Sequence, residues 1–147
     1  ARLVSTSADA VRFGTNRVVL AVPAGNPARI SSTASLADER LRVAVCAIDV
    51  PCGAATHALG LPVAADTEEP SVRAVVSRLS LGEADVGVVY QTDVQAVDGI
   101  DRVPGVDLPP SVVEYWAESL TADGDRFVSY LRSDAAIKIL HDHGFDT

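Results

Sequence analysis

Val43–Gly60, VAVCAIDVPCGAATHALG, changes character in its middle. The opening run, Arg42 to Ala47, is β-branched and apolar with little polar alternation, as expected of a strand covered on both faces. It stops at Asp49-Val50-Pro51-Cys52-Gly53 and gives way to small, helix-tolerant residues from Gly53 to Leu59. A buried strand feeding a helix through a tight turn is half of a βαβ unit, and ligands of such sheets gather outside the carboxyl ends of the strands. Cys46 and Cys52 bracket the turn. Three chemistries stay open there: a reactive thiol, a metal or disulfide pair, and an anion site in which the cysteine side chain hardly matters.

The same alternation runs along the chain. Asn16–Val22 reads as a strand ended by the turn cluster Pro23-Ala24-Gly25-Asn26-Pro27, and Ser35–Glu39 as a short helical turn. Pro62-Val63 opens a further short strand. Glu69-Pro70-Ser71-Val72 begins a helix with Pro70 suited to its first position. Val72, Val75, Val76 and Leu79 then form one buried face. Val86–Tyr90 is another buried strand, and Gln91-Thr92-Asp93 starts a helix. Pro109-Pro110 marks a boundary before a last strand, Val112–Ala117. Phe127–Leu131 and Ala135–His141 make a terminal helix or helix pair, stopped by Gly144. The fold class is therefore α/β.

Composition excludes several functions. With 147 residues, a compact core is affordable, but with 5% aromatics it must be built from Val, Ala and Leu. A net charge of −8 with singly scattered arginines lacks the basic stripe that nucleic acid requires. No apolar run approaches the roughly 20 residues of a bilayer span. Ala1–Thr6 has no apolar core of a signal peptide. His57, His141 and His143 lack paired metal-ligand spacing, so no metal site is expected. Phosphate loops, G-x-G-x-x-G and G-x-S-x-G are all absent. Asp49, Asp66, Glu68 and Glu69 have no spacing that pairs them for acid–base work and read as solvated loop charges. A Cys46–Cys52 bridge would close a short loop worth about 2–3 kcal/mol.

Three elements converge at the strand ends: the Pro51-Cys52-Gly53 turn, the Pro70-Ser71-Val72 helix start, and Tyr90 closing its strand. Helix N-termini carry unpaired N–H donors and a partial positive charge, so two aimed at one point cradle an anion without lysine or arginine. Gly53 would let the backbone come close, and the Tyr90 hydroxyl adds a neutral donor. The expected ligand is a compact oxyanion.

"FGTNRVVLAVPAGNPA" (Phe13–Ala28), "RVAVCAIDVPCG" (Arg42–Gly53), "EEPSVRAVVSRLSLGEADVGVVYQTDV" (Glu68–Val94) and "AAIKILHDHGF" (Ala135–Phe145) occur in that order. Together they resemble the molybdate-binding protein of bacterial ABC transporters. The resemblance implies a type II periplasmic-binding-protein fold, with a mixed, mostly parallel sheet flanked by helices and two lobes clamping molybdate or tungstate. It further implies anion ligands at the Cys52 and Val72 amides and the Tyr90 hydroxyl, supported by Gly53 and Ser71. No catalysis and no cofactor are implied. The implied partner is an ABC permease, and the implied location is exported, periplasmic or lipid-anchored at the cell surface.

The chain also departs from that pattern. The serine-bearing first lobe expected before Phe13 is not in the sequence, and Ser5 and Ser7 are assigned no binding role. "VEYWAESLTADGDRFVSYL" replaces an apolar return strand with Trp116, Glu118 and Ser119. The expected division is thus an oxyanion-binding second lobe, 1–108, and an altered return segment with the C-terminal helix, 109–147. Binding would be weakened with one lobe alone. The alternative is a single-lobe scaffold, homodimeric over the face left uncovered, whose anion site is vestigial or reassigned. An enzyme using Cys52 as nucleophile lacks a basic partner nearby in sequence. On this view the Cys52 side chain could be truncated with little effect on binding.

Overall fold

The computed structural model describes residues 9–108 and 112–147; Ser5, Ser7 and the Pro109-Pro110 boundary lie outside them. The chain forms two compact units: a larger one, Arg17–Val112, and a smaller one built from Ala1–Asn16 with Val113–Thr147.

The larger unit holds a sheet in the order β3-β2-β4-β1-β5. Its strands are β1 (Val11–Pro23, from Arg17 onward), β2 (Val43–Cys46), β3 (Thr67–Glu69), β4 (Val86–Tyr90) and β5 (Ile100–Arg102). Helices α1 (Pro51–Ala58), α2 (Val72–Ser80) and α3 (Gln91–Ala96) follow β2, β3 and β4 in turn. β2 runs parallel to both β3 and β4, whereas β1 is antiparallel to β4 and β5, so the sheet is mixed.

The apolar runs explain the layering. Every residue of β2 is buried, as are Val86 to Val89 of β4, which demands cover on both faces. α2 supplies part of it through Val75, Val76 and Leu79, each worth about 1.5–3 kcal/mol of burial. Gly87 marks where the helix sits closest. A Cβ there would lie 2.6 Å from the Ala44 carbonyl oxygen and 3.0 Å from Val75 Cγ1.

Two crossovers, β2-α1-β3 and β3-α2-β4, place three parallel strands side by side with their carboxyl ends on one edge. Cys46 is level with Glu69, and Val43 pairs with Val86, which carries Tyr90 one step past Cys46. The three elements singled out in the sequence all leave from that edge.

The strand expected at Pro62-Val63 forms instead at Thr67–Glu69. Pro62 has no N–H to give a ladder, and the backbone beyond it is committed elsewhere: Ala64 N–H donates to Leu36 O and Asp66 N–H to Val43 O. Pro70 is not the first helical residue. Ser71 takes the cap, its Oγ accepting from the Ala74 N–H, so Val72 opens the helix. α1 begins at Pro51 rather than Gly53, with the proline at a first-turn position that needs no donor.

In the smaller unit, β6 (Val112–Ala117) pairs with β1, and the terminal helical region is a pair, α4 (Ala122–Leu131) and α5 (Asp134–Asp142). Thr121 and Ser133 cap these helices through their hydroxyls. Phe13, Tyr115 and Phe145 stack in series, with ring centroids 6.1 and 5.4 Å apart. Thr15 and Asp146 exchange backbone hydrogen bonds beside them, which fastens the C-terminal residues to β1.

Candidate functional site

Cys52 is the second residue of α1 and is joined by a disulfide to Cys46, the last residue of β2. The described residues therefore include no free thiol, which removes the reactive-cysteine chemistry. Between them the chain turns on a Val50 N–H to Ala47 O bond of 3.1 Å, while the Ala47 N–H reaches across to Glu69 O at 2.9 Å. Gly53 fits because its missing Cβ would stand 1.8 Å from the Ala47 carbonyl oxygen. The space this glycine leaves is filled by the strand's own backbone.

No acceptor among the described residues is paired with the Cys52 amide or with those of Val72 and Arg73. The Ser71 hydroxyl is engaged at its own cap and so sets the direction of the α2 terminus. Tyr90 precedes α3 as its cap residue, and its N–H donates to Asp93 Oδ2 at 2.9 Å. Val50, Val72 and Tyr90 all pack, half-buried, on one apolar cluster that contains Cys46, Cys52, Val75 and Val89. One core thus carries the three elements, all within the larger unit.

Asp93 was not singled out from the sequence. Its spacing of three from Tyr90, a residue that closes a strand and opens a helix, was the available signal. Burial pushes its carboxyl above the usual range, opposed by the Tyr90 N–H and by the positive charge of Arg73. A carboxyl whose folded pKa lies above the unfolded value favours folding at low pH. That contribution is lost as pH rises through the folded pKa. Asp93→Asn keeps an oxygen for the Tyr90 N–H, and it is expected to flatten this decline as pH rises above the ordinary carboxylate range. Urea unfolding across that rise in pH checks it.

The acidic residues separate. Asp49 and Glu68 are exposed, as expected, but Glu69 is 8% exposed and its carboxylate takes the Arg78 Nε–H. Asp66 lies on the surface yet accepts the Val43 N–H at 2.7 Å. Both were expected to be solvated loop charges; each instead satisfies a neighbour that burial would otherwise leave unpaired. No group of three metal-ligating side chains occurs among the described residues. A surface cavity of about 750 Å³ in the smaller unit, lined by Asp9, Ser119, Asp125 and Arg132 among others, includes none of the predicted residues.

Residues 1–146 match the family described as bacterial extracellular solute-binding protein. The chain belongs to that family. Among individual solute-binding proteins, the molybdate-binding protein ModA of Mycobacterium tuberculosis is 36% identical over 145 residues, covering 90% of this chain and 55% of the relative. The Mycobacterium bovis counterpart matches to the same extent. The chain thus spans about half the length of these relatives. The Azotobacter vinelandii periplasmic molybdate-binding protein superposes with a TM-score of 0.62 at 20% identity, over 95% of this chain and 68% of that one. Peb3 from Campylobacter jejuni does so with a TM-score of 0.60 at 14% identity, with the same coverages. At such identities these two structures establish the fold, that of a periplasmic solute-binding domain.

Proposed function

We propose that the larger unit binds a tetrahedral oxyanion, molybdate or tungstate, as part of the solute-binding component of an ABC importer. The carrying observation is the pair of helix starts at Cys52 and Val72, whose amides have no protein acceptor among the described residues and which follow the adjacent parallel strands β2 and β3. The 36% identity to ModA supports molybdate as the ligand. The Tyr90 hydroxyl is the third donor, with Gly53 and Ser71 holding the two turns. Recognition by neutral donors suits an anion that stays ionised at neutral pH, because no proton has to be shared. Membership of the same family supports a permease partner and an exported location.

The relatives are nearly twice as long, and these donors account for one side of a ligand. Each charge-assisted bond not made costs about 1.5–3 kcal/mol, so these residues alone are expected to bind in the millimolar rather than the micromolar range. Titrating ¹⁵N-labelled protein with sodium molybdate tests this. Saturable shifts should centre on the amides of Cys52, Gly53, Val72 and Arg73, with sulfate weaker. Absence of any shift at millimolar molybdate removes the assignment.

A second reading, a dimeric scaffold with a reassigned site, is favoured by one feature. Trp116, Leu120, Phe127 and Tyr130 of the smaller unit are exposed by 54%, 90%, 61% and 45%. On this reading the four side chains belong to one apolar surface that a second copy of the chain covers. Sedimentation equilibrium distinguishes the two, since a stable dimer without anion response supports the scaffold.

A further inference from the structure

We propose that the Cys46–Cys52 disulfide is the positioning device of the oxyanion site, holding the Cys52 amide in its anion-facing direction, so that oxidised and reduced protein differ in affinity. This rests on the oxyanion assignment above and adds to it the means by which one half of the cradle is fixed.

The two helix starts are anchored differently. α2 has a serine at its cap, and Ser71 Oγ accepts from the Ala74 N–H. α1 has Val50 there, with no side-chain hydrogen bond, and its first turn contains a glycine. Valine is among the poorest cap residues, and eight residues is below the length at which a helix stands on its own. The direction of the α1 amides therefore has to be imposed from outside the helix.

The bond supplies that constraint. It ties the second residue of α1 to the end of the central parallel strand, with Cα atoms 5.7 Å apart. Both cysteines are 3–4% exposed and sit in the cluster that holds Val75, Leu79 and Val89. The anchor is thus the sheet core and not a surface loop. What remains without it is the packing of Ala55 and Thr56, the Thr56 hydroxyl on Cys52 O, and three backbone contacts: Val50 N–H to Ala47 O, Ala54 N–H to Val50 O, and Ala47 N–H to Glu69 O; none of these fixes the Cys52 amide itself. Ile48 and Asp49, at the tip, are both exposed.

Reduction by a dithiol breaks the S–S bond. Two electrons and two protons pass to Cys46 and Cys52, which become thiols, and the dithiol closes to its own disulfide. The turn then samples other conformations, and apparent affinity falls by the fraction of time the donors are in place.

Sodium molybdate titrations followed by ¹⁵N amide shifts test the proposal on three samples. These are the oxidised protein, the Cys46→Ala/Cys52→Ala double variant, and wild-type protein reduced with a dithiol and exchanged into oxygen-free buffer before titration. The reduced sample keeps the test valid if the double variant does not fold. The expected result is binding about tenfold weaker in both bond-free samples, against the expectation from sequence that truncating Cys52 has little effect, with faster hydrogen exchange at Ala54, whose N–H bonds Val50 O, and unchanged exchange at Val75 and Leu79. Phe145→Ala, which removes a ring from the aromatic series of the smaller unit, should leave affinity unchanged and so separates positioning from loss of stability. Affinity within twofold of the oxidised protein in a folded, bond-free sample overturns the proposal alone. Failure of the oxidised protein to bind overturns the oxyanion assignment and this inference with it.

Discussion

Gly53→Ala is expected to destabilise the larger unit by about 3–4 kcal/mol and to remove its response to molybdate. The methyl group would lie 1.8 Å from the Ala47 carbonyl oxygen, 2.4 Å from its carbon and 2.7 Å from the Cys46 carbonyl oxygen. All three are backbone atoms of the strand end and turn, so no rotamer change relieves them. Moving α1 outward would relieve them, but the disulfide at Cys52 resists that movement. Alanine regains about 1 kcal/mol over glycine through helix propensity, which is too little to compensate. Gly60→Ala is the matched control. It has a φ of +64° and open space around it, so its cost should be near 1 kcal/mol of backbone strain, without effect on the anion. Urea unfolding of both variants, with the molybdate titration repeated, checks the pair. A Gly53→Ala protein as stable as wild type would mean that the turn does not pack as described.

How far the sequence showed this site depends on which physical signal each residue carries. β2 and β4 were legible because strands buried on both faces need unbroken apolar runs, and Val43–Cys46 and Val86–Tyr90 are such runs. α2 was legible through the periodicity of Val72, Val75, Val76 and Leu79. β3 was not. Thr67-Glu68-Glu69 has no apolar pattern, and it is a strand only because β2 offers a parallel edge and Asp66 ties itself to Val43. Gly53 was noticed as a conformational opening toward a ligand, whereas its neighbour is the Ala47 carbonyl. Local sequence reports that a residue is small, but not what occupies the space. The cysteine pair stayed ambiguous for a similar reason, since spacing allows a bridge and only the strand-to-helix geometry brings the two residues together.

Arg78→Met is expected to cost about 3 kcal/mol, the low end of the range for breaking a buried ion pair because the arginine is 37% exposed. Glu69 is the buried partner. Its carboxylate lies in the interior and accepts from Arg78 Nε, and the other end of the guanidinium reaches Glu83 Oε2 at 3.3 Å. Removing the arginine leaves a carboxylate in an apolar setting with its charge-assisted partner gone, and that desolvation dominates the loss of the exposed Glu83 contact. The double variant Glu69→Leu/Arg78→Met should recover most of the stability, because neither charge then has to be buried. The cycle also reads out on the site. The Glu69 carbonyl accepts the Ala47 N–H that orients the turn before Cys52, and Pro70 and Ser71 follow it directly into the second helix start. Arg78→Met should therefore weaken molybdate binding several-fold while the double variant restores it, measured by the same amide titration. If the double variant regains stability without regaining affinity, the carboxylate itself, and not only the strand end it anchors, sets the spacing of the two helix starts.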